Sequence, residues 1–553
     1  MQKITLCPMP KSMQLLPGTF RYNKTLVDIH ITPEKGEVYT LAITEKGIRI
    51  EGGEAGVFYA QETLKQLLQA GDNLPCLKIE DSPALQVRGV YLDVTRGKVP
   101  TLATLKRTVD RLASYKINQL QLYVEDCVLF DSAPALRHPS PLTKDEIRAL
   151  DAYCRERHID LVPSLSTFGH LFNLLECPEY KHLRELPELT DGPDMYWIHK
   201  MAHHTLDVSQ EESFTLISAI IDEYTALFSS GTFNICCDET FDLGNGKNKE
   251  LAAKVGKGKL YSDFLLRLIT HVKSKGKTVQ FWGDILLEHP EFLEVIPEGC
   301  IFLNWDYEKN TPEEKTKTFA KTNVQQLLCS GTSGWNRFAN NYDIAFKNIE
   351  ISTAYAVKYN TLGTLCTDWG DFGHINQLTY SIPPLAYSLS LAWNPETEEP
   401  IKAISQLEFG SDEAIDILWQ ACNKDGFNWS NAVMLHNLRT NQISDTKDFL
   451  YNIKVLEALN PEAVQERISE LAALKERVTA KYAEDKEELR MAIEGEIFLC
   501  RLSLHFITGQ DITAETEGFL QNFQAVWLKH NKIADLPRVC TLIRRMAGIE
   551  TVA

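Results

Sequence analysis

Apolar and polar positions along the chain fall into three successive rhythms. In VYTLAITEKGIRIEG, residues 38–52, apolar side chains recur at every second position on both sides of a Lys-Gly pair. That pattern predicts a β-hairpin. GVFYAQETLKQLLQ follows, and Phe58, Leu64, Leu67 and Leu68 share one side at helical spacing. Residues 1–85 therefore read as a small α/β domain. Over residues 86–395 short apolar runs alternate with amphipathic helices. The runs are VRGVYLDVT, NQLQLYV, IDLVPSLS, TFNICCDE, TVQFWGD, CIFLNWD, VQQLLCSG and LGTLCTDW, with helical patterns such as LATLKRTVDRLASYK and SFTLISAIIDEYTALF between them. Eight such units predict a parallel sheet with right-handed crossovers, closed as a (β/α)8 TIM barrel. An open doubly wound sheet is disfavoured, because no Gly-rich phosphate turn follows the first run. From residue 396 to 553 the pattern is helical, with one or two long helices in PEAVQERISELAALKERVTAKYAEDKEELRMAIEGEIFLCRLSLHFITG.

A barrel of this kind gathers its chemistry at the C-terminal ends of its strands. The eight predicted ends carry Asp93 and Arg96, then Glu125 and Asp126, His170, Asp238 and Glu239, and Trp282 with Asp284. Trp305, Asp306 and Tyr307 follow, then Trp335 and Asn336, and finally Asp368, Trp369, Asp371 and His374. Each polar residue has a plainer role open to it. Asp93 could cap a helix or pair with Arg96, His170 could be a satisfied core histidine, Glu125 could face solvent, and Asp371 with His374 could form a loop pair. Four of the nine Trp residues at one rim are harder to assign to packing alone. Aromatic walls, carboxylates and an Arg describe a sugar pocket, in which rings stack on the pyranose and charged groups bond its hydroxyls.

Composition narrows the partners. With 57 basic and 75 acidic residues the formal net charge is -18, which argues against nucleic acid or an anionic membrane. No apolar run is long enough to span a bilayer. The 13 cysteines have no paired spacing, and no HxH or HExxH occurs, so a metal site ranks below sugar chemistry. Unpaired cysteines and an N-terminus without an apolar leader suit a cytoplasmic protein.

Several of these stretches resemble glycoside hydrolase family 20, the exo-β-N-acetylhexosaminidases. RGVYLDVTRGKVPTLATLKRTVDRLASYKINQLQLYVED is similar to the opening of that family's barrel, GVFYAQETLKQLL to the end of its small N-terminal domain, and CCDE to its Asp-Glu signature. TDWGDFGH resembles its eighth-strand motif in a bacterial form. The likeness covers roughly residues 1–395. The chain departs from the pattern at Asn234, Ile235, Cys236 and Cys237, where the family has a His and two Gly, and at Ser166 or Thr167, where it has an Asp. For the family's strand-seven Tyr, Tyr342 is one candidate, while Trp335 and Asn336 sit nearer the strand end.

The resemblance implies a retaining exo-enzyme that releases terminal β-linked GlcNAc or GalNAc without metal or cofactor. The substrate's acetamide would act as nucleophile, an exception among glycosidases. Glu239 would then be general acid and base, with a pKa raised by Asp238, and Asp238 would hold the acetamide N–H. Arg96 and Asp371 would bind sugar hydroxyls, and Trp282, Trp305 and Trp369 would wall the acetamide and ring. Asp126 and His170 would pair behind Glu239. Two alternatives stay open: a glycosidase with a protein nucleophile such as Asp284 or Asp306, and a non-catalytic sugar-binding barrel. For the C-terminal helices the sequence leaves a homodimer contact and a pocket rim equally open.

Overall fold

The structure is a computed structural model that describes residues 4–186, 195–322, 324–423 and 426–549. Its N-terminal part is a five-stranded sheet of order β1-β5-β3-β4-β2, with β1 Ser12–Arg21, β2 Val27–Ile31, β3 Tyr39–Thr44, β4 Gly47–Gly52 and β5 Asn73–Asp81. The predicted hairpin is β3 against β4, with Thr44 opposite Gly47 across a two-residue turn. Alternation puts Leu41, Ile43, Ile48 and Ile50 on one face, where the helix Glu54–Leu68 covers them with Tyr59, Leu64 and Leu67.

The next eight strands close a parallel barrel: β6 Val87–Asp93, β7 Gln119–Val124, β8 Asp160–Leu165, β9 Thr232–Asn234, β10 Thr278–Trp282, β11 Cys300–Trp305, β12 Gln325–Cys329 and β13 Gly363–Asp368. Closure comes from β13 pairing with β6, in register from Gly363 opposite Val87 to Asp368 opposite Leu92. The strands are buried on both faces, which is why they read as nearly continuous apolar runs.

The small sheet is fastened to the barrel through buried charge. Arg88, wholly buried, pairs with Glu37 at 2.5 Å. Lys116 pairs with Asp81 at 3.2 Å, and the Trp393 indole N–H donates to the same carboxylate at 3.0 Å. Buried ions survive only when paired and hydrogen-bonded, and here each pair joins one domain to the other.

Beyond the last barrel helix, Leu378–Trp393, the chain is helical. The long predicted helical stretch is two helices, Pro461–Arg477 and Ala483–Thr508. Around Trp429, Phe498, Phe519, Phe523 and Trp527 a separate apolar core forms. Phe338 and Ile375, from loops at the barrel's C-terminal end, belong to that core as well. Among the described residues no helix is long and apolar enough to cross a membrane.

Candidate active site

The acidic pair does not lie on a strand. β9 ends at Asn234, although two bonds to β10 continue beyond it: Ile235 N–H donates to Gln280 O, and Trp282 N–H to Cys236 O, both at 2.9 Å. Cys236, Cys237 and Glu239 then adopt left-handed backbone, with φ of 55°, 69° and 45°. Such conformations cost on the order of 1–3 kcal/mol each in residues with a Cβ and cluster at functional sites. Here they turn the chain out of the pleat, so the strand rule that neighbours point apart no longer applies. Asp238 and Glu239 therefore line the same cavity. Both cysteines are buried beneath them, and Tyr261 OH donates to Cys237 O at 2.8 Å. Gly169 permits the turn, since a Cβ there would lie 2.7 Å from Asp238 O.

His170 approaches this pair from the loop after β8, its Nε2 3.3 Å from Glu239 Oε2 and 3.7 Å from Asp238 Oδ2. Burial alone would lower the imidazole pKa, but Glu239 and Asp238 outweigh it and hold His170 above its ordinary value. Burial pushes Glu239 up, yet His170 and Arg96 prevail and its carboxyl lies below the usual range. This corrects the expectation from sequence that Asp238 would raise Glu239. The raised carboxyl is Asp238, through burial and the neighbouring Glu239 charge. Behind them Asp284 Oδ2 accepts from Glu239 N–H at 3.4 Å, while its Oδ1 is shut off from solvent without a partner. Burial first, then the charges of Asp238 and Glu239, push Asp284 up to about 7.

Arg96 organises the opposite side. Its Nε donates to Glu125 at 2.9 Å, Nη1 to Asp371 at 3.0 Å and Nη2 to the Tyr123 hydroxyl at 3.3 Å. Asp93 holds the loop by accepting from Arg96 N–H at 3.0 Å and from Gly370 N–H at 2.9 Å. Three of the five guanidinium N–H groups are thus bound to protein, and the rest remain for a ligand. Asp371 also accepts from Asn336 Nδ2 at 3.2 Å. Burial, against the pull of Arg96, pushes Asp371 up to about 6.

Between these sides is a cavity of about 180 Å³, lined by Arg96, Met201, Asp238, Glu239, Asp371 and an aromatic wall of Trp282, Trp305, Tyr307, Trp335 and Trp369. Trp369 Nε1 donates to Tyr307 OH at 2.8 Å, and Tyr307 stacks on Trp305 with centroids 5.3 Å apart. A larger hollow, about 960 Å³, lies between the N-terminal sheet, the helix Leu102–Ala113 and the C-terminal helices. Charges in its wall pair with one another, as in Arg111 with Glu408 at 2.6 Å, and it shares no lining residue with the cavity of the acidic pair.

Sequence reading thus placed Arg96, Asp238, Glu239, Trp282, Trp305, Trp335, Trp369 and Asp371 around one cavity. Asn336 stands behind Asp371 rather than in the wall. Tyr342 is a correction: it begins the helix Tyr342–Lys358, wholly buried, with its hydroxyl donating to Tyr380 O at 2.7 Å. The pocket tyrosine is Tyr307, two residues past β11 in NWDY. Asp126 is a second correction, because it does not pair with His170. It accepts from Thr95 Oγ1 at 2.6 Å and faces Lys200 Nζ at 3.7 Å, since that buried ammonium is the nearer charge. Ser166 bonds Tyr123 OH at 2.9 Å, and Thr167 donates to Ile235 O at 2.6 Å, so both brace the site from below. Sequence reasoning missed Met201, on the helix Tyr196–Ala202, because the long connection between β8 and β9 carries no strand-end signal. Glu125, open to a solvent-facing role in the sequence, is buried against Arg96.

The sequence and the fold are similar to those of known proteins. The sequence model of "Glycosyl hydrolase family 20, catalytic domain" matches residues 86–361, and that of "Glycosyl hydrolase family 20, domain 2" matches residues 27–82. A β-hexosaminidase of Akkermansia muciniphila is 26% identical over 321 residues, which cover 52% of this chain and 64% of the relative. A β-hexosaminidase of Vibrio vulnificus is 24% identical over 311 residues, covering 45% of this chain and 37% of the relative. The chain thus spans less than two thirds of either relative's length. In fold it is similar to the X-ray structure of Flavobacterium johnsoniae chitobiase, with TM-score 0.60 and 16% identity over 98% of this chain and 99% of that one. The likeness in fold therefore extends through the C-terminal helices. On these matches and this architecture, the chain belongs to glycosyl hydrolase family 20.

Proposed function

We propose that this protein is an exo-acting, retaining β-N-acetylhexosaminidase that removes terminal β-linked GlcNAc or GalNAc by acetamide-assisted catalysis. One observation carries the reading: among the described residues, no free carboxylate stands across the cavity from Asp238 and Glu239. Asp371, the one other acid among the described residues of the wall, is engaged by Arg96 and Asn336. A two-carboxylate retaining mechanism needs an acid and a nucleophile flanking the bond about 5 Å apart. Neither alternative nucleophile meets the cavity: Asp284 lies behind the Glu239 main chain, and Asp306 is paired with Lys315 at 3.0 Å. The substrate's own acetamide oxygen supplies the missing nucleophile.

In this reading Glu239 and His170 share the proton that the leaving oxygen receives. Glu239, with 34% of its side chain exposed, is the member that reaches the bond. It delivers the proton as the acetamide oxygen closes on the anomeric carbon, and then takes one from the attacking water. Asp238, nearly buried, accepts from the acetamide N–H and stabilises the positive oxazolinium ring. Tyr307, whose hydroxyl accepts from Trp369, donates to the acetamide oxygen and orients it. The small cavity suits a single terminal sugar, well below the 300–1,000 Å³ of pockets for larger ligands. Thirteen free and mostly buried thiols support a cytoplasmic location.

The test compares p-nitrophenyl β-GlcNAc, β-GalNAc and β-glucoside with the purified chain. Turnover of the acetamido sugars, absent with the glucoside, and tight inhibition by a GlcNAc-thiazoline are expected. Equal turnover of the glucoside would instead identify a protein nucleophile, and sugar binding without turnover would identify a binding protein.

A further inference from the structure

We infer that the C-terminal helices are a positioning clamp for the side of the pocket that reads the sugar's ring hydroxyls, with Trp429 and Glu496 as its fixing residues. The inference rests on the HexNAc reading of the pocket.

Three loops form that side: the one after β6 with Arg96, the one after β12 with Asn336, and the one after β13 with Asp371. Each is held by main-chain bonds to the helical region. Trp429 N–H donates to Asn336 O at 3.0 Å, and its indole Nε1–H donates to Phe372 O at 2.6 Å. One wholly buried residue therefore sets the spacing between two loops. Glu496 Oε1 accepts from Phe338 N–H at 3.0 Å and Ala339 N–H at 2.9 Å, while its Oε2 accepts from Asn423 at 2.8 Å. The preceding Gly495 lets Phe338 close in, since a Cβ there would lie 2.2 Å from its ring. On the third loop, Asp535 N–H donates to Gly97 O at 3.1 Å and Lys532 N–H to Val99 O at 2.8 Å. Gly97 in turn touches Gly373, and Gly373 lies against Val539 of the helix Leu536–Met546.

The loops need such a hold. Asn336 and Asp371 both have left-handed backbone, with φ of 59° and 43°. Asn and Asp enter this region more readily than other residues with a Cβ, but ordinary backbone still lies lower in energy, so released from its surroundings each would relax toward it. That relaxation would break the 3.2 Å bond that aims Asp371. A displacement of about 1 Å at a recognition group is enough to cost binding and rate.

Trp429→Phe keeps the ring in the core and removes only the bond to Phe372 O. We expect kcat/KM for p-nitrophenyl β-GlcNAc to fall about 10-fold, mainly through KM. With Asp371 as the acceptor for the sugar's 4-hydroxyl, the same substitution should matter less than about 2-fold on the 4-deoxy analogue or in an Asp371→Ala background, because its effect passes through Asp371. Glu496→Ala should behave like Trp429→Phe, while Glu496→Gln, which keeps an acceptor, should restore wild-type KM. An equal loss on both substrates, additivity with Asp371→Ala, or unchanged kinetics in an active enzyme would each overturn the clamp. Should Trp429→Phe not fold, the Glu496 pair decides alone, and Gln and Ala behaving alike would overturn it. Wild type without turnover of either HexNAc substrate would instead defeat the HexNAc reading, and the clamp with it.

Discussion

The two sides of the pocket are built differently. The reacting side, after β9, β10 and β11, draws its supports from the barrel. Asp284 holds Glu239 N–H, Tyr261 holds Cys237 O, Trp282 N–H holds Cys236 O, and Asn348 Nδ2 donates to Asp306 O at 2.8 Å. The recognising side, after β6, β12 and β13, is tied to helices that follow the barrel by 35 residues or more, Trp429 being the nearest of the fixing residues after Trp393. Under the proposed function, then, the chemistry rests on contacts inside one domain, whereas sugar recognition rests both on such contacts, as at Arg96, and on contacts between two. Changes on the first side should act on the chemical step, and changes on the second on binding.

The largest effect expected is at the acidic pair. Glu239→Gln should lower kcat by about 100- to 10,000-fold, as loss of a general acid–base does. Asp238→Asn should lose about 100-fold or more in kcat, because an amide neither stabilises the oxazolinium charge nor accepts in the same way. Steady-state kinetics check both, and a change confined to KM would break the contrast. On the other side, Arg96→Lys should cost about 10- to 100-fold in kcat/KM, since a point ammonium cannot reproduce the fork that spans Glu125 and Asp371.

A pH profile sharpens the comparison further. Asp371 is held at about 6 in the free protein, so it loses its negative charge as pH falls through that value. Since kcat/KM reports groups of the free enzyme, it should decline with an acid limb near pH 6. That limb should flatten in Asp371→Asn. The smallest effect concerns stability. Asp284 is raised to about 7 in the folded protein, above an unfolded value of about 3.9, so folding favours its protonated form. Stability then falls as pH rises between those values, and the full penalty is present above about 7. Asp284→Asn removes it, and should raise Tm by about 2 °C or more at pH 8 and little at pH 4. Calorimetry at the two pH values checks the sign.

Much of the barrel was legible because its strands are buried on both faces and its helices on one. Those two patterns alternate eight times. The acids and indoles of the site were legible because strand ends in such a barrel all face one way. Tyr342 misled because its distance in sequence from β12 does not reveal that it starts a buried helix. Asp126 misled because its partner, Lys200, sits in a connection with no periodic signal. The left-handed turn at Cys236 and Cys237 was hidden for a simpler reason: neither residue is Gly, and only the surrounding packing forces that conformation.

By itself, then, the sequence determined the three-part organisation, the order of the eight barrel units and the residue types brought to one rim. These follow from local periodicity, which a chain carries wherever it folds. Tertiary structure alone decided which carboxylate is raised and which is lowered. That depends on burial and on charges such as His170, distant in sequence and 3.3 Å away in space. It also decided that Tyr307 joins the wall, and that helices beyond the barrel hold Asn336 and Asp371 in place. Both are contacts between segments whose spacing no local pattern encodes.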